Sequence, residues 1–383
     1  MAQINKDLDI VVFGATGFTG RFVVEEICRT ASDMNKLRWG IAGRSEQRLQ
    51  EVSNIIGVAS GNSVRQPEII IADVERPESL NKMAKRAKVV IACVGPFFLY
   101  GESVVKACIE NEANYVDIAG NNQFIILVPA DLGILFTKRL LESQGAIPSQ
   151  IEMFTSVHCG KAGLGVNFVH GINNVERLRE LRKNANRPKV PRIGPPLEII
   201  RSHKWDDQVK GYIYPSFLTD PSIIRLSQSL DIECQTGVPP VQLAAYLVFP
   251  SFKNLAKMVF AGALFKFLVK FSWGKSLLLK YPKVFTFGTF SHNGPTLEQI
   301  QQTSFTHKLL PPPSELEIVT EVTGPEPGYV TTPICVVQCA YTILKEGGNV
   351  PKGVLTPSLA FGKTSLIQNL MEYGINFREV DKS

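Results

Sequence analysis

Three glycines near the start of the chain have the spacing of a loop that cradles phosphate. They lie in the stretch GATGFTG, directly after the strand-like run LDIVVF and at the start of a segment of helical composition. Glycine allows a tight turn and a close approach to a pyrophosphate, and a helix N-terminus presents free N–H groups to the anion. The pattern lacks the Gly-Lys-Ser/Thr ending of a nucleoside triphosphate loop and predicts a dinucleotide site, the alternative being a glycine-rich turn without ligand. The predicted contact residues are Gly14, Ala15, Thr16, Gly17, Phe18, Thr19 and Gly20.

The end of the second predicted strand indicates which dinucleotide is bound. It reads IAGRS, with a basic residue where a carboxylate would bind a free ribose hydroxyl. The guanidinium of Arg44 offers a planar fork of donors to a 2′-phosphate, and Ser45 adds a hydroxyl. We therefore expect NADP(H) in preference to NAD(H); the alternative is an exposed arginine at a helix cap.

Two further loops follow strands of the same predicted sheet. Asp73 closes the third strand and either contacts the adenine edge or serves as a turn residue. Val94, Gly95 and Pro96 follow the fourth strand, where an open α/β sheet places the nicotinamide ribose. The alternative for this second loop is an ordinary turn at the end of a strand.

The elements that must position these residues alternate between short β-branched runs and segments of helical length. This alternation predicts a parallel sheet covered by helices on both faces. The predicted strands are Asp9–Phe13, Leu37–Ala42, Glu68–Ala72, Val89–Cys93 and Asn114–Ile118. The predicted helices are Gly20–Thr30, Ser45–Ile56, Ser79–Ala87 and Ser103–Glu112.

Beyond about residue 140 the pattern becomes irregular and indicates a second domain. We expect a dinucleotide-binding domain over 1–140, a second domain over 141–328 and a C-terminal segment, 329–383, that packs on the first domain. Residues 255–273 are almost continuously apolar but carry Lys257, Lys266 and Lys270. This segment is predicted to be either a buried core or interdomain helix, or a surface that docks on a membrane or lipid droplet.

Composition excludes several classes of protein. The lysines and arginines behind the net charge of +6 form no block of five or six like charges, so nucleic acid is not expected as a partner. Seven cysteines without a Cys-x-x-Cys pair predict neither a disulfide framework nor a metal site. The N-terminal stretch MAQINKDLDI lacks the pattern of a secretory signal, which predicts an intracellular protein.

The segments GATGFTG, AGRS and VGPFFLYGESVVKACIENEANYVDIAG together resemble the saccharopine dehydrogenase family. The later segments TGPEPGYVTTP and GVLTP narrow the resemblance to its saccharopine dehydrogenase-like oxidoreductases of animals. The resemblance implies an α/β fold class: a Rossmann parallel sheet, a second α+β domain and a C-terminal return onto the first domain.

The resemblance also implies hydride transfer with NADP(H). The acceptor would be a secondary amine, as in saccharopine formation, or a lipid acyl chain, as in bacterial enoyl reductases of glycolipid biosynthesis. A non-catalytic NADP(H)-binding scaffold on lipid droplets and a saccharopine reductase of lysine metabolism stay open as alternatives. The expected partners are a small-molecule or lipid-linked substrate and a membrane or lipid-droplet surface, with a homodimer left open. The expected location is a lipid droplet, a mitochondrion or another membrane surface, and otherwise the cytoplasm.

One stretch departs from the family pattern. After the fifth strand the family continues through a helix, a sixth strand and a turn, whereas here AGNNQF at 119–124 passes almost at once to VPADLG at 128–133. We therefore predict that the helix and the sixth strand are missing near 121–128. Shorter gaps are expected near 165–170 and 306–313.

The group that manages the proton accompanying hydride transfer is not evident from the sequence. Candidates are His158 and His170 in the second domain, with Tyr100 and Asp131 nearer the cofactor loops. Each of them has a structural role as its alternative. The stretch directly after the fifth strand, 119–150, contains no Tyr-x-x-x-Lys pair, which argues against a short-chain reductase.

Overall fold

A computed structural model describes residues 6–31, 37–59, 65–118, 127–160, 166–167, 188–286, 288, 290–291, 294–311 and 318–380. These residues form two compact units. The first unit draws on 1–119, 329–351 and 363–373, and the second draws on 120–328, 352–362 and 374–383.

The strands and helices are numbered in chain order. The strands are β1 (Leu8–Phe13), β2 (Trp39–Gly43), β3 (Glu68–Ile71), β4 (Ala87–Ala92), β5 (Asn114–Asp117), β6 (Gln150–Cys159), β7 (Val166–Asn167), β8 (Lys204–Asp206), β9 (Gly211–Pro215), β10 (Gln242–Phe249), β11 (Phe290–Ser291), β12 (Thr303–Leu310), β13 (Val319–Pro325) and β14 (Asn376–Val380). The helices are α1 (Phe18–Thr30), α2 (Glu46–Ala59), α3 (Pro77–Arg86), α4 (Phe97–Glu110), α5 (Leu127–Ser143), α6 (Asp220–Glu233), α7 (Phe252–Leu268), α8 (Ser272–Lys280), α9 (Pro282–Phe285), α10 (Leu297–Gln301), α11 (Thr332–Glu346), α12 (Pro357–Phe361) and α13 (Leu366–Glu372).

The first unit contains a parallel sheet of five described strands in the order β3-β2-β1-β4-β5. Strand β1 lies at its centre, where Val12 is paired with Ile41 of β2 and with Ile91 of β4. Helices cover both faces of this sheet, and the second unit adds a mixed sheet. The predicted α/β fold class, with a Rossmann sheet and a second α+β domain, is therefore confirmed.

Burial on both faces explains why β1 is an unbroken apolar run. Ile10 and Val12 point to the face covered by α1, α2 and α11. Val11 and Phe13 point to the opposite face, which is covered by α3 and α4. All four side chains are almost fully buried, so the carboxyl end of β1, where the glycine loop begins, is held in a rigid sheet.

Three helices begin earlier than predicted, and the first of them, α1, begins at Phe18 rather than Gly20. Helix α3 begins at Pro77 rather than Ser79, and α4 begins at Phe97 rather than Ser103. Proline suits the first turn of a helix because its φ angle is fixed and it lacks an N–H group that would need a partner. Pro77 stands in the first turn of α3, and Pro96 occupies the capping position before α4, so prolines rather than serines mark the starts of these two helices.

The C-terminal part of the chain is divided between the two units. Helix α11 packs against α1, β4 and β5, and its Tyr341 hydroxyl lies 3.1 Å from the Thr30 hydroxyl of α1. Strand β14, in contrast, pairs with β13 in the sheet of the second unit. The segment 329–383 was expected to pack on the first domain as a whole, but it contributes to both.

The second unit contains a seven-stranded sheet in the order β14-β13-β12-β6-β10-β9-β8. Strands β6 and β10 are parallel, and the other neighbouring pairs are antiparallel. A separate two-stranded parallel sheet joins β7 and β11. Strand β12 runs without a break through most of the junction suspected at 306–313, although 312–317 lie outside the described residues.

Helix α5 packs on this second sheet. A Cβ atom at Gly133 would lie 2.9 Å from Val322 Cγ2 of β13, and the Thr137 hydroxyl lies 2.5 Å from the Thr320 hydroxyl. Residues up to 140 were predicted to belong to the first domain, but this close contact places α5 in the second unit. The predicted loss of a helix and strand near 121–128 falls mainly on 119–126, which lie outside the described residues.

The apolar segment 255–273 forms most of α7 and the start of α8. It is not a core helix of its unit, because within α7 only Leu255 and Leu268 are buried. Of the described helices, none is long and apolar enough to cross a membrane.

Candidate functional site

The GATGFTG stretch forms a tight turn between β1 and α1. Gly14 has a φ of +89°, and its N–H group donates a hydrogen bond of 2.8 Å to the carbonyl oxygen of Ala42. The N–H group of Gly17 donates to the Gly14 carbonyl oxygen at 2.9 Å. Gly17 occupies the position before the first turn of α1, and no described side chain caps that helix. The turn thus directs the N-terminus of α1 towards any anion bound there.

At each of the two outer glycines, a side chain would clash with neighbouring atoms. A Cβ atom at Gly20 would lie 2.1 Å from the Gly14 carbonyl oxygen. A Cβ atom at Gly14 would lie 2.7 Å from Val94 Cγ2 and 3.0 Å from the Cys93 carbonyl carbon. The glycine turn and the loop after β4 therefore lie against each other at one sheet edge, and this cradle fits the pyrophosphate of a dinucleotide.

Arg44 and Ser45 follow β2 at the same edge of the sheet. The Arg44 side chain is exposed and has no ion pair or hydrogen bond with another described residue. The Ser45 hydroxyl accepts a hydrogen bond of 3.4 Å from the Arg48 N–H group and so caps α2. Arg44 is therefore free to bind a phosphate, while one acceptor position of Ser45 is used by the helix.

The structure uses Asp73 as a turn residue. Its Oδ1 atom accepts a hydrogen bond of 3.1 Å from the Glu75 N–H group, and its own N–H group donates to Ser79 Oγ at 2.9 Å. These bonds close the loop before α3, and a contact of Asp73 with the adenine edge stays a prediction.

The loop after β4 leads directly into α4. The Gly95–Pro96 peptide bond is cis, and the Pro96 carbonyl oxygen accepts hydrogen bonds from the Leu99 and Tyr100 N–H groups in the first turn. Val94 is the member of this loop that touches the glycine turn, because it lies against Gly14. Gly95 is exposed beside it.

The predicted proton-transfer candidates are distributed over both units. Tyr100 is half-buried on α4 in the first unit. His158 is exposed near the end of β6 in the second unit, where its Nε2 atom lies 3.3 Å from the Thr306 hydroxyl. His170 lies outside the described residues.

Both carboxylate oxygens of Asp131 accept hydrogen bonds from residues of the second unit. Its Oδ1 atom accepts a hydrogen bond of 2.6 Å from the Ser227 hydroxyl, and Oδ2 accepts one of 2.8 Å from the Ser358 N–H group. Complete burial raises the pKa of this carboxyl to about 6, despite both hydrogen bonds. Asp131 therefore links α5, α6 and α12 inside the second unit, although its sequence position had suggested the cofactor loops.

Two buried titratable residues were not identified from the sequence. His307 of β12 is fully buried, its Nδ1 atom lies 2.9 Å from the Thr155 hydroxyl, and burial lowers its pKa to about 3. Asp220 lies in the first turn of α6 and is 1% exposed. The spacing of Phe305, His307 and Leu309 could have predicted that the histidine is buried. Residues two apart share one face of a strand, and the other two side chains on this face are apolar.

The second unit is expected to become less stable as the pH rises from about 4 to about 7. Replacing Asp220 with asparagine is expected to remove much of this pH dependence. Neither carboxylate oxygen accepts a hydrogen bond from another described residue, and burial raises the pKa from 3.8 to about 7. The folded state thus holds the proton more tightly than the unfolded state. The contribution of Asp220 to the free energy of unfolding is therefore fully present below about pH 4 and is lost progressively up to about pH 7. Melting temperatures of wild type and Asp220→Asn between these pH values measure the effect.

The matched control for this prediction is Glu233→Gln, at an exposed residue of the same helix. It should keep the pH dependence of the wild type. Identical pH profiles for Asp220→Asn and wild type would show that Asp220 does not titrate in this range.

Residues 10–131 match a family model described as the saccharopine dehydrogenase NADP binding domain. This match confirms NADP(H) as the cofactor predicted from the sequence. It also covers the glycine turn, Arg44 and the loop after β4, although their individual contacts to the cofactor remain predictions.

Full-length relatives come from animals and plants. The chain is 38% identical to a saccharopine dehydrogenase-like oxidoreductase of Homo sapiens, with complete coverage of both proteins. It is 30% identical to a probable mitochondrial saccharopine dehydrogenase-like oxidoreductase of Arabidopsis thaliana, covering 98% of this chain and 96% of that protein. It is also 30% identical to a lipid droplet localized protein of Caenorhabditis elegans, with 97% of each chain covered. The human alignment spans 434 positions against 383 residues here, so part of that relative has no counterpart in this chain.

Proposed function

Because this chain belongs to the saccharopine dehydrogenase-like oxidoreductases, we propose that it reduces a lipid-linked substrate with NADPH at the surface of a lipid droplet or membrane. The family predicted from the motifs is the one that the full-length relatives share. The observation that carries the proposal is the cradle formed by the glycine turn and the loop after β4, with Arg44 at the same sheet edge, where its exposed guanidinium has no partner among the described residues.

The chain's own residues have three tasks in this proposal. The N–H groups at the start of α1 and the Gly14–Gly20 turn bind the pyrophosphate. Arg44 binds the 2′-phosphate through charge-assisted hydrogen bonds, which NAD(H) cannot form. The loop Val94–Pro96 orients the nicotinamide ribose beside the sheet edge. NADPH, when bound, supplies the hydride.

The lipid part of the proposal has two supports. One full-length relative carries the name lipid droplet localized protein. Helices α7 and α8 expose apolar side chains that a soluble enzyme would normally bury, such as Phe260 and Trp273. These two observations support a lipid-linked acceptor, in lipid or glycolipid metabolism. A carbon–carbon double bond as the group that accepts the hydride is what the family resemblance implies.

Turnover assays with the full chain test the reaction. NADPH fluorescence is followed with three acceptor classes: an unsaturated acyl lipid in mixed micelles, a water-soluble enoyl thioester, and a 2-oxo acid with an amine. We expect NADPH oxidation with the acyl lipid and at least tenfold less with the 2-oxo acid and amine. The control is the same assay with Arg44→Ala, which should raise the KM for NADPH and leave the order of acceptors unchanged.

Two results would overturn the proposal. Oxidation only with the 2-oxo acid and amine would indicate a saccharopine reductase. Tight NADPH binding without oxidation of any acceptor would indicate a non-catalytic scaffold, a function consistent with the packing role of Asp131 in the second unit.

A further inference from the structure

The chain contains a long stretch without negative charge. No aspartate or glutamate occurs between Glu233 and Glu298, whereas seven lysines lie in the middle of this stretch. They are Lys253, Lys257, Lys266, Lys270, Lys275, Lys280 and Lys283. All seven are exposed on or beside helices α7, α8 and α9, and none forms an ion pair with a described residue. The segment itself therefore carries a concentrated positive charge and no negative charge.

The same helices expose large aromatic side chains. Phe260, Phe267 and Trp273 are 61%, 54% and 59% exposed. Phe260 and Phe267 are seven residues apart and so share one face of α7. The Phe271 ring lies 5.3 Å from the Phe267 ring and 5.5 Å from the Trp273 ring, which makes the aromatic surface continuous around the corner between α7 and α8.

This lysine-aromatic surface, residues 252–284, is fixed to the second unit. Leu255, Leu268 and Leu278 are buried, and α7 packs against β10. The aromatic residues on the outer side are therefore presented by helices that are already ordered. Such a surface binds without the entropic cost of folding a disordered segment.

The combination of charge and exposed aromatic residues identifies the partner. Aromatic and lysine side chains are both favoured at the boundary between lipid acyl chains and headgroups, and clustered lysines attract anionic lipids. A second copy of this surface would be repelled by the like charge. We propose that the lysine-aromatic surface docks on a phospholipid surface with anionic headgroups: the aromatic side chains insert between the lipids, and the lysines contact the headgroup phosphates. Docking would bring the proposed reductase to its lipid substrate, and in that respect the inference rests on the proposed function. Binding to the phospholipid surface itself does not depend on the reaction.

Vesicle cosedimentation with the full chain tests the aromatic contribution. The vesicles contain phosphatidylcholine with or without phosphatidylserine, and the triple variant Phe260→Ser, Phe267→Ser, Trp273→Ser is compared with wild type. We expect the partition coefficient on serine-containing vesicles to fall at least tenfold, because each inserted aromatic side chain contributes independently to burial. The control Phe217→Ser, at another residue of the second unit that is 56% exposed, should bind like wild type.

The lysine contribution is tested with the variant Lys266→Gln, Lys270→Gln, Lys275→Gln. Each lysine near an anionic surface contributes about fivefold, so we expect a loss of about a hundredfold on serine-containing vesicles and little change on phosphatidylcholine alone. The control with the same loss of charge is Lys82→Gln, Lys85→Gln, Lys345→Gln, at exposed lysines of the first unit.

Vesicle binding that is unchanged in both triple variants would overturn the inference. A dimer that becomes a monomer in the aromatic variant, without an effect on vesicles, would assign the surface to self-association instead and would also overturn it. These measurements need no substrate, and NADPH binding and melting are measured on the same samples. A failure of docking is thereby distinguished from a failure of the proposed reaction or of folding.

Discussion

A chain with Gly20→Ala is expected to lose about 3 kcal/mol of stability in its first unit and to bind NADPH poorly. The new Cβ atom would lie 2.1 Å from the Gly14 carbonyl oxygen, which is a backbone atom. That oxygen cannot move easily, because hydrogen bonds tie the turn to Ala42 and to Gly17. The substitution must therefore push α1 away from β1 and open the cradle. Thermal unfolding and NADPH titration of the same sample measure both effects.

The control is Gly101→Ala in α4 of the same unit. A Cβ atom at Gly101 would make an ordinary contact, 3.7 Å from Phe97 Cβ, and alanine favours a helix over glycine by up to about 1 kcal/mol. This variant should be as stable as wild type or more stable, with unchanged NADPH affinity. If Gly20→Ala behaves like Gly101→Ala, then α1 does not depend on its close approach to the turn.

Replacing Arg44 with alanine is expected to weaken NADPH binding by about 10- to 100-fold and to leave NADH binding nearly unchanged. The Arg44 guanidinium is exposed and has no partner among the described residues, so its loss removes no internal contact. The lost free energy is that of charged hydrogen bonds to the 2′-phosphate, a group that NADH lacks. Parallel titrations with the two cofactors give the ratio directly.

Arg48→Ala separates a specific contact from a general loss of positive charge. Arg48 is exposed on α2, one turn after Arg44. Its removal lowers the charge equally but should reduce NADPH affinity only slightly, because exposed charges are screened by salt. Equal losses in the two variants, or equal losses for NADPH and NADH in Arg44→Ala, would remove Arg44 from the 2′-phosphate site.

Much of the first unit could be predicted because its signals are local. All five strands were found within two residues of their ends, since runs such as LDIVVF are buried on both faces and are bounded by turns. The cofactor turn followed from the same local context of strand, glycines and helix. The starts of α3 and α4 differ from the prediction because they follow Pro77 and Pro96, whereas the predicted helices begin at Ser79 and Ser103.

The second unit could not be predicted in the same way because its contacts are distant in sequence. Strand β6 pairs with β10 and β12, which lie about one hundred or more residues later in the chain. Asp131 follows the fifth strand closely in sequence, yet its partners are Ser227 and Ser358. The exposure of α7 and α8 also required the structure, since an apolar run has the same pattern in a core helix and in a docking surface.

We predict that the first unit binds NADP(H) through the glycine turn and Arg44. Calorimetric titration of the wild-type chain with NADPH and with NADH tests this prediction. We predict one site per chain and an affinity for NADPH at least tenfold higher than for NADH. Equal affinities, or no binding of either cofactor by a folded chain, would contradict the claim.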